Sequence, residues 1–223
     1  MDKHYLNPLF SPSNIVVFAG KVDAFDTLSA QAQALVNALK AQAFKGTLTF
    51  IDLDTSGTLA DLAQTRADLA IIALPSSEVA AALEIAGRIK CKAALVISSG
   101  IDAALASDLH KIAIRDGIYL LGPNSLGFQR PHLNLNASIA GALATPGPLA
   151  LVSQSGALTS SILDWAKKNA VGFSTVISLG PNTAVDLAQA LDFLAADAIL
   201  FRRSLSFISF SICPNRMSCV SWL

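Results

Sequence analysis

Residues 68–75 read DLAIIALP, in which an unbroken apolar run from Leu69 to Leu74 is followed by a proline. A strand covered by helices on both faces of a parallel sheet shows such a run, because neither face meets water. Similar runs occur at 14–19 and 93–97, and the stretch 28–43 repeats apolar residues at helical spacing. Alternation of this kind indicates right-handed βαβ units, so the sequence predicts an α/β fold with a doubly wound parallel sheet.

The alternation continues along most of the chain. The predicted strands are 14–19, 47–52, 68–74, 93–97, 117–121, 149–152 and 174–178. The predicted helices are 28–43, 59–64, 77–89, 103–115, 156–169 and 184–194. A proline-containing break precedes the last two strands and the last two helices, which we therefore assign to a second α/β unit.

Four segments follow from this pattern. Residues 1–130 form the first domain, 131–148 a linker with room for one hairpin, and 149–200 the start of the second domain. The remaining segment, 201–223, is an aberrant tail with six serines, two of the three cysteines and no acidic residue. We expect this tail to reflect a truncated chain with a shifted reading frame, and a natural irregular tail is the alternative.

Composition excludes several classes of protein. The chain has 223 residues, 52% of them hydrophobic, and its 14% charged residues lie below the roughly 25% of an average soluble domain. Sixteen basic residues balance sixteen acidic ones, which excludes disorder driven by net charge and argues against a nucleic-acid binder. No apolar run approaches the roughly 18 residues of a membrane-spanning helix. No secretory signal is visible, so we expect a cytoplasmic protein without membrane association.

Metal and nucleophile chemistry have little support. Three cysteines without a CxxC motif predict neither a disulfide framework nor a zinc site, and the three histidines lack partners at ligand spacing. No Ser/His/Asp set can be assembled, so we assign no catalytic residue and no metal ligand. The GxGxxG and GxxxxGK[ST] motifs are absent, which weakens NAD and simple nucleoside triphosphate interpretations.

Small polar clusters follow several predicted strands, where ligands of open parallel sheets bind. Ser98 and Ser99 are one such cluster, and the run Ser153-Gln154-Ser155-Gly156 between a strand and a helix is a sharper one. Backbone N–H groups at a helix N-terminus and nearby hydroxyls would suit a phosphate or phosphoryl group. The alternative for each cluster is an ordinary helix N-cap.

Several stretches together resemble a known family. They are the runs AALVISSG at 93–100, LGPNSLG at 121–127, LVSQSGAL at 151–158 and SLG at 178–180. In this order and spacing the chain resembles the N-terminal part of NDP-forming acyl-CoA synthetases. The same region heads the related GNAT-fused protein lysine acetyltransferases, and it is similar to the α subunit of succinyl-CoA synthetase.

The resemblance implies a CoA-binding Rossmann-like domain followed by an incomplete flavodoxin-like domain. It places coenzyme A, or acyl-CoA, over the strand ends at Gly20, Lys21, Ala73, Leu74, Pro75, Ile97, Ser98, Ser99, Asn124 and Ser125. It makes Ser153, Gln154, Ser155 and Gly156 a phosphoryl cradle that faces a phosphohistidine. ATP or ADP would bind only to a part outside this chain, an ATP-grasp domain or subunit, and a homo-oligomer is compatible with the family.

Three departures accompany the resemblance. The family has VVGAS after the first strand where this chain has Val17-Phe18-Ala19-Gly20-Lys21, and NPK after the second where it has Asp52-Leu53-Asp54. No histidine of this chain matches the phosphohistidine. We therefore predict a CoA-binding module of an NDP-forming acyl-CoA synthetase or lysine acetyltransferase that is not catalytic alone. The alternatives are a regulatory or scaffold domain that has lost CoA binding and, less favoured, an NAD(P)-binding oxidoreductase domain.

Overall fold

A computed structural model describes residues 3–53, 66–181 and 184–197 in full, and the secondary structure of 206–213 and 216–222. The predicted helix at 59–64 lies outside the described residues. The other predicted strands and helices of residues 1–197 are present, with ends shifted by one to three residues.

The first sheet has five parallel strands in the order β2-β1-β3-β4-β5. These strands are β1 Asn14–Phe18, β2 Thr47–Ile51, β3 Leu69–Ile72, β4 Ala93–Val96 and β5 Tyr119–Leu121. Among the described residues, the helices that accompany them are α1 Asn7–Phe10, α2 Ala30–Lys40, α3 Ser76–Arg88 and α4 Ala103–Asp116. The strand order reverses direction between β1 and β3, so a topological switch point lies there.

Helix ends follow local capping rules. Ser29 caps α2 by accepting from the N–H of Ala32, and Asp102 caps α4 by accepting from the N–H of Leu105. Gly117 ends α4 in the left-handed conformation that glycine adopts without strain. A short 3-10 helix, Val22–Thr27, which the sequence pattern did not predict, joins β1 to α2.

The second sheet has six strands in the order β11-β10-β8-β9-β6-β7. Its elements are β6 Gly127–Arg130, a 3-10 turn Pro131–Leu133, β7 Leu135–Ser138, β8 Pro146–Ser153, α5 Gly156–Lys168, β9 Phe173–Ser178, α6 Leu187–Ala196, β10 Ser206–Cys213 and β11 Arg216–Trp222. Strand β8 pairs in parallel with β9 and β10, whereas β6, β7 and β11 pair antiparallel.

The segment expected to be a linker contributes to this sheet. The hairpin is present, but its strands β6 and β7 join β9 at one side of the second sheet, and β8 begins at Pro146. These strands escape an apolar-run search because they are four residues long and bury polar side chains, among them Gln129 and Asn136.

The tail also differs from the expectation of an irregular segment. Strand β10 pairs in parallel with β8, and β11 pairs antiparallel with β10. Residues 208–212 read ISFSI, a short alternation of apolar and hydroxyl residues that suits a strand. The proposed frame shift and the domain limits themselves stay predictions.

Two apolar cores cover the two faces of the first sheet. Val17 and Ile71 face the larger core, which also contains Val152 and Ile177 of the second sheet. Val16 and Ala70 belong to the other core, which α3 and α4 cover. Strands buried on both faces explain the continuous apolar runs of the sequence. Among the described residues, no helix is long and apolar enough to cross a membrane.

Candidate functional site

A cleft opens at the switch point of the first sheet. The last residue of β1, Phe18, pairs with Ile51 of β2 on one side and with Ile72 of β3 on the other. The loops that follow these three strands enclose a cleft of about 420 Å³. Its lining residues are Ala19, Gly20, Lys21, Thr27, Leu28, Ser29, Asp52, Leu53, Ala73, Leu74, Pro75 and Glu78. Ligands of doubly wound sheets bind at this position.

Gly20 shapes the turn that follows β1. Its φ is +88°, a conformation that side-chain-bearing residues rarely adopt, and a Cβ here would lie 3.1 Å from Cδ2 of Leu28. Because this residue has no side chain, the backbone of the turn stays accessible from the cleft. A turn that binds a phosphate requires such access, since the phosphate must come close to the backbone.

The N-terminus of α3 borders the opposite side of the cleft. Pro75 is its N-cap and makes no side-chain cap hydrogen bond, and the carbonyl of Pro75 accepts from the N–H of Glu78. The first N–H groups of a helix have no intrahelical acceptor, and the helix dipole adds positive potential there. A diphosphate is therefore a suitable partner for this end of α3.

A second depression of about 630 Å³ continues the cleft beyond Lys21. It shares Gly20, Lys21 and Asp52 with the cleft and adds Val22, Asp23, Ala24, Lys40 and Phe50. The Nζ atom of Lys40 lies 5.2 Å from the centre of the Phe50 ring. We call the two depressions together the nucleotide cleft, after the ligands that doubly wound sheets commonly bind at a switch point. Its charged lining residues are two lysines, two aspartates and one glutamate.

Of the ten residues predicted for CoA, five line this cleft: Gly20, Lys21, Ala73, Leu74 and Pro75. The other five lie at neighbouring strand ends, and hydrogen bonds within the protein engage the serine and asparagine side chains. Ser98 is buried, and its Oγ accepts from the N–H of Leu74 at 3.0 Å. Ser98 thus positions the β3 loop. The N–H and Oγ of Ser99 donate to Oε1 of Gln31, which ties the β4 loop to α2.

Asn124 and Ser125 likewise position a loop. Asn124 has a φ of 56°, and its Nδ2 donates to the carbonyl of Ile101 at 3.0 Å. Ser125 is buried, donates through Oγ to the carbonyl of Ser178, and accepts from the N–H of Gly127. Ile97 is buried in the larger core. Ser125 thus ties the β5 loop to β9 of the second sheet, and Asn124 ties it to the loop after β4.

The run Ser153-Gln154-Ser155-Gly156 occupies the corresponding place in the second sheet. Ser155 is the N-cap of α5, because its Oγ accepts from the N–H of Leu158 at 3.3 Å. Ser153 is buried, and its Oγ accepts from the N–H of Ser155 at 3.1 Å. The structure therefore shows the capping role for Ser155.

The surroundings of this turn bring three loops together. The carbonyl of Ser153 accepts from the N–H of Leu179, and a Cβ on Gly156 would lie 2.9 Å from Cγ of Leu126. Gly180 has a φ of +77°, and a Cβ there would lie 2.9 Å from the carbonyl oxygen of Asn124. In the second sheet β9 lies on one side of β8 and β10 lies on the other. The turn that follows β8 therefore also lies at a topological switch point.

Two buried ionisable groups of the described residues have shifted pKa values. Burial raises the pKa of the Cys91 thiol to about 12. Burial lowers the pKa of Arg130, and the nearby carboxylate of Asp197 opposes that shift. In the part of the chain that the structure describes, no group of three or more His, Cys, Asp or Glu side chains could hold a metal ion.

Sequence reasoning missed part of the cleft wall. Thr27, Leu28 and Ser29 line it at the end of the 3-10 helix Val22–Thr27, which leads from the β1 turn to α2. A single 3-10 turn has no lasting periodicity, so no run of apolar residues announces it. The serine N-cap of α2 at Ser29 is the one signal that could have marked this wall.

Comparisons with known proteins identify similar sequences and a similar fold. Residues 146–200 match the family model described as succinyl-CoA ligase like flavodoxin domain. An ADP-forming acetate–CoA ligase I of Archaeoglobus fulgidus is 40% identical over 136 residues, which cover 58% of this chain and 20% of the relative. The α subunit of acetate–CoA ligase [ADP-forming] I of Pyrococcus furiosus is 35% identical over 58% of this chain and 29% of that subunit.

A solved structure extends the likeness to the whole fold. The apo form of the dinucleotide-forming acetyl-coenzyme A synthetase 1 of Ca. Korarchaeum cryptofilum has a TM-score of 0.81 and 26% sequence identity. The match covers 95% of this chain and 47% of the solved chain. The chain thus spans less than a third of the curated relatives named here and about half of this solved one.

The two sheets form an α/β fold that matches the N-terminal fold of CoA ligases. The chain is homologous to the NDP-forming acetate–CoA ligases and has a succinyl-CoA-synthetase-like fold. The resemblance inferred from the sequence motifs is thereby confirmed, and so is the predicted fold class.

Proposed function

We propose that this chain is the CoA-binding module of an NDP-forming acyl-CoA synthetase. The observation that supports this most is the nucleotide cleft at the β1/β3 switch point, in a chain homologous to acetate–CoA ligases. A relative named in the comparisons is a separate α subunit, which supports assembly with a further domain or subunit.

The residues of the cleft suit the parts of a CoA molecule. The Gly20 turn and the first-turn N–H groups of α3 would hold the diphosphate, and Lys21 would add positive charge. Leu28 and Leu74 supply an apolar wall for the neutral parts of the ligand. Coenzyme A, when bound, supplies the thiol that carries the acyl group.

The Ser153–Gly156 turn is proposed to face a phosphoryl group. The positive end of α5 and its first-turn N–H groups would stabilise the phosphoryl charge, while Ser153 and Ser155 fix the turn. The family reaction converts acyl-CoA, NDP and phosphate into acid, CoA and NTP. One related solved structure is a complex with phosphate and ADP. The nucleotide step requires residues that this chain does not supply, so we propose that the chain alone does not turn over.

Hydrogen–deuterium exchange of the whole chain, with and without CoA, tests the placement. We expect protection of the loops at 19–29 and 73–78. The matched charge reversals are Lys21→Glu in the cleft and Lys111→Glu on the exposed face of α4. The first should weaken CoA binding about tenfold, as expected for loss of one charge-assisted contact of about 1.4 kcal/mol, and the second should leave it unchanged.

Two outcomes would count against the proposal. Unchanged exchange at both loops, at CoA concentrations up to the millimolar range, would favour the alternative of a regulatory domain that has lost CoA binding. Turnover of acetyl-CoA, ADP and phosphate by the chain alone would contradict the non-catalytic role.

A further inference from the structure

Asp52 lies where a nucleotide-binding sheet meets the ribose of its ligand. It follows Ile51, the last residue of β2, and Ile51 pairs with Phe18, after which the Gly20 turn begins. Asp52 is half-buried and lines both depressions of the nucleotide cleft. In doubly wound sheets an acidic side chain near this point accepts hydrogen bonds from ribose hydroxyls, whereas a phosphorylated ribose requires a cation.

The charges of the cleft point in the same direction. Among the described residues of the lining, the two lysines Lys21 and Lys40 are accompanied by three acidic residues, Asp23, Asp52 and Glu78. The diphosphate of an adenine nucleotide can be met by the Gly20 turn and the N-terminus of α3. An additional phosphate on the ribose would bring about two more negative charges beside Asp52, where like charges repel.

We propose that the cleft selects an adenosine diphosphate moiety whose ribose is unphosphorylated, and that Asp52 is the residue that determines this specificity. Dephospho-CoA has this moiety, and CoA differs from it only by the phosphate on the ribose. The inference rests on the proposed function, because it assumes that the cleft takes a nucleotide of the CoA class. It adds which form of that nucleotide the chain prefers.

Calorimetric titration of the whole chain with dephospho-CoA, CoA and ADP-ribose tests the preference. We expect dephospho-CoA to bind at least about tenfold more tightly than CoA, a difference of about 1.4 kcal/mol. ADP-ribose distinguishes the source of the affinity. Weaker binding of ADP-ribose than of dephospho-CoA assigns a contribution to the pantetheine arm, and equal binding places the recognition in the nucleotide alone; both results support the proposal.

Two variants separate hydroxyl recognition from bulk charge. Asp52→Asn should weaken the binding of dephospho-CoA, because a neutral amide is a poorer acceptor for hydroxyls. It should strengthen the binding of CoA, because it removes the negative charge near the extra phosphate. Glu78→Gln removes one negative charge from the side of the cleft formed by α3, so it should strengthen the binding of both ligands. Asp108→Asn, on the exposed face of α4, controls for net charge and should change neither affinity.

The failure of this inference differs from the failure of the proposed function. If CoA binds as tightly as dephospho-CoA, and Asp52→Asn leaves their ratio unchanged, the inference about Asp52 is overturned while CoA binding stands. If none of the three nucleotides binds to the folded chain, the proposed function fails as well. If Asp52→Asn and Glu78→Gln change the two affinities equally, the preference comes from the net charge of the cleft. That result would overturn the proposed contact between Asp52 and the ribose hydroxyls.

Discussion

Nη2 of Arg130 lies 2.8 Å from Oδ2 of Asp197 in an ion pair, and both side chains are more than nine-tenths buried. Arg130 ends β6, and Asp197 follows the last residue of α6, so the pair joins two elements of the second α/β unit. The guanidinium also lies 5.3 Å from the centre of the Phe193 ring. Within the described residues, Nε and Nη1 of Arg130 have no hydrogen-bond partner, so Asp197 is the main compensation for this buried charge.

Removing the carboxylate should therefore destabilise the second unit. Asp197→Asn leaves a buried cation uncompensated, and we expect a loss of about 3–5 kcal/mol in the free energy of unfolding. Asp108→Asn is the matched control, because the Asp108–Lys111 pair is exposed and such pairs contribute about 0–1 kcal/mol. Urea unfolding measures both variants. Equal midpoints for the two would show that the buried pair has no special weight.

Ser98 provides a test of the positioning roles at the cleft. Ser98→Ala removes the acceptor for the N–H of Leu74, and leaving this buried donor without a partner should cost about 1–3 kcal/mol. Ser99→Ala removes an exposed hydroxyl and should change stability by less than about 0.5 kcal/mol. Thermal unfolding of the two variants makes the comparison. A larger effect at Ser99 than at Ser98 is incompatible with the assigned roles.

Gly20 allows strain and ligand approach to be separated. Gly20→Ala places a side chain at a φ of +88°, which should cost about 1–2 kcal/mol and also weaken nucleotide binding by narrowing the turn. Gly117→Ala has comparable backbone strain, with a φ of +67° and open space around the added Cβ, and it lies at the end of α4. We expect both variants to lose stability and only Gly20→Ala to lose affinity, as measured by thermal unfolding and titration. Equal affinities would exclude a ligand contact at this turn.

Cys91 should be an inert thiol in the folded chain. Burial raises its pKa to about 12, so it stays protonated at pH 8, where an ordinary cysteine is already partly a thiolate. We expect mass spectrometry after iodoacetamide treatment to find Cys91 unmodified until the protein is unfolded in urea. Rapid modification of Cys91 in the native protein would contradict its burial.

The same shift has a consequence for stability at alkaline pH. The unfolded chain loses this proton near pH 9, whereas the folded chain keeps it to about pH 12. The stabilisation is thus complete below pH 9 and is lost as pH rises towards 12, by up to about 1.4 kcal/mol per pH unit. Cys91→Ala should therefore show a flatter decline between pH 9 and 11. A parallel decline in both proteins would assign the pH dependence to other groups.

Much of the fold could be predicted from sequence because its strands are buried on both faces. Runs such as 69–72 are apolar throughout, so they can be recognised as strands without knowing which strands they pair with. The hairpin of β6 and β7 gave no such signal, since Gln129 and Asn136 are buried there with partners supplied by the loop after β7. Strand β10 pairs with β8 across more than fifty residues of chain, a long-range contact that no local pattern encodes.

The candidate sites show the same division between local and tertiary information. Strand ends mark where a ligand binds in a doubly wound sheet, and five predicted residues do line the nucleotide cleft. The direction of a side chain depends on tertiary packing, which turns Ser98 and Ser125 inward to hydrogen bonds with neighbouring loops. Ser155 had two interpretations from spacing alone, and only the contact with Leu158 shows its capping role.

The central claim is that the cleft at the β1/β3 switch point binds a nucleotide of the CoA class. Isothermal titration of the whole chain with CoA and with dephospho-CoA tests it most directly. We predict saturable one-site binding of at least one of them, with an affinity that falls about tenfold in Lys21→Glu and is unchanged in Lys111→Glu. No heat from either nucleotide, in a chain that circular dichroism and a cooperative thermal transition show to be folded, would contradict the account.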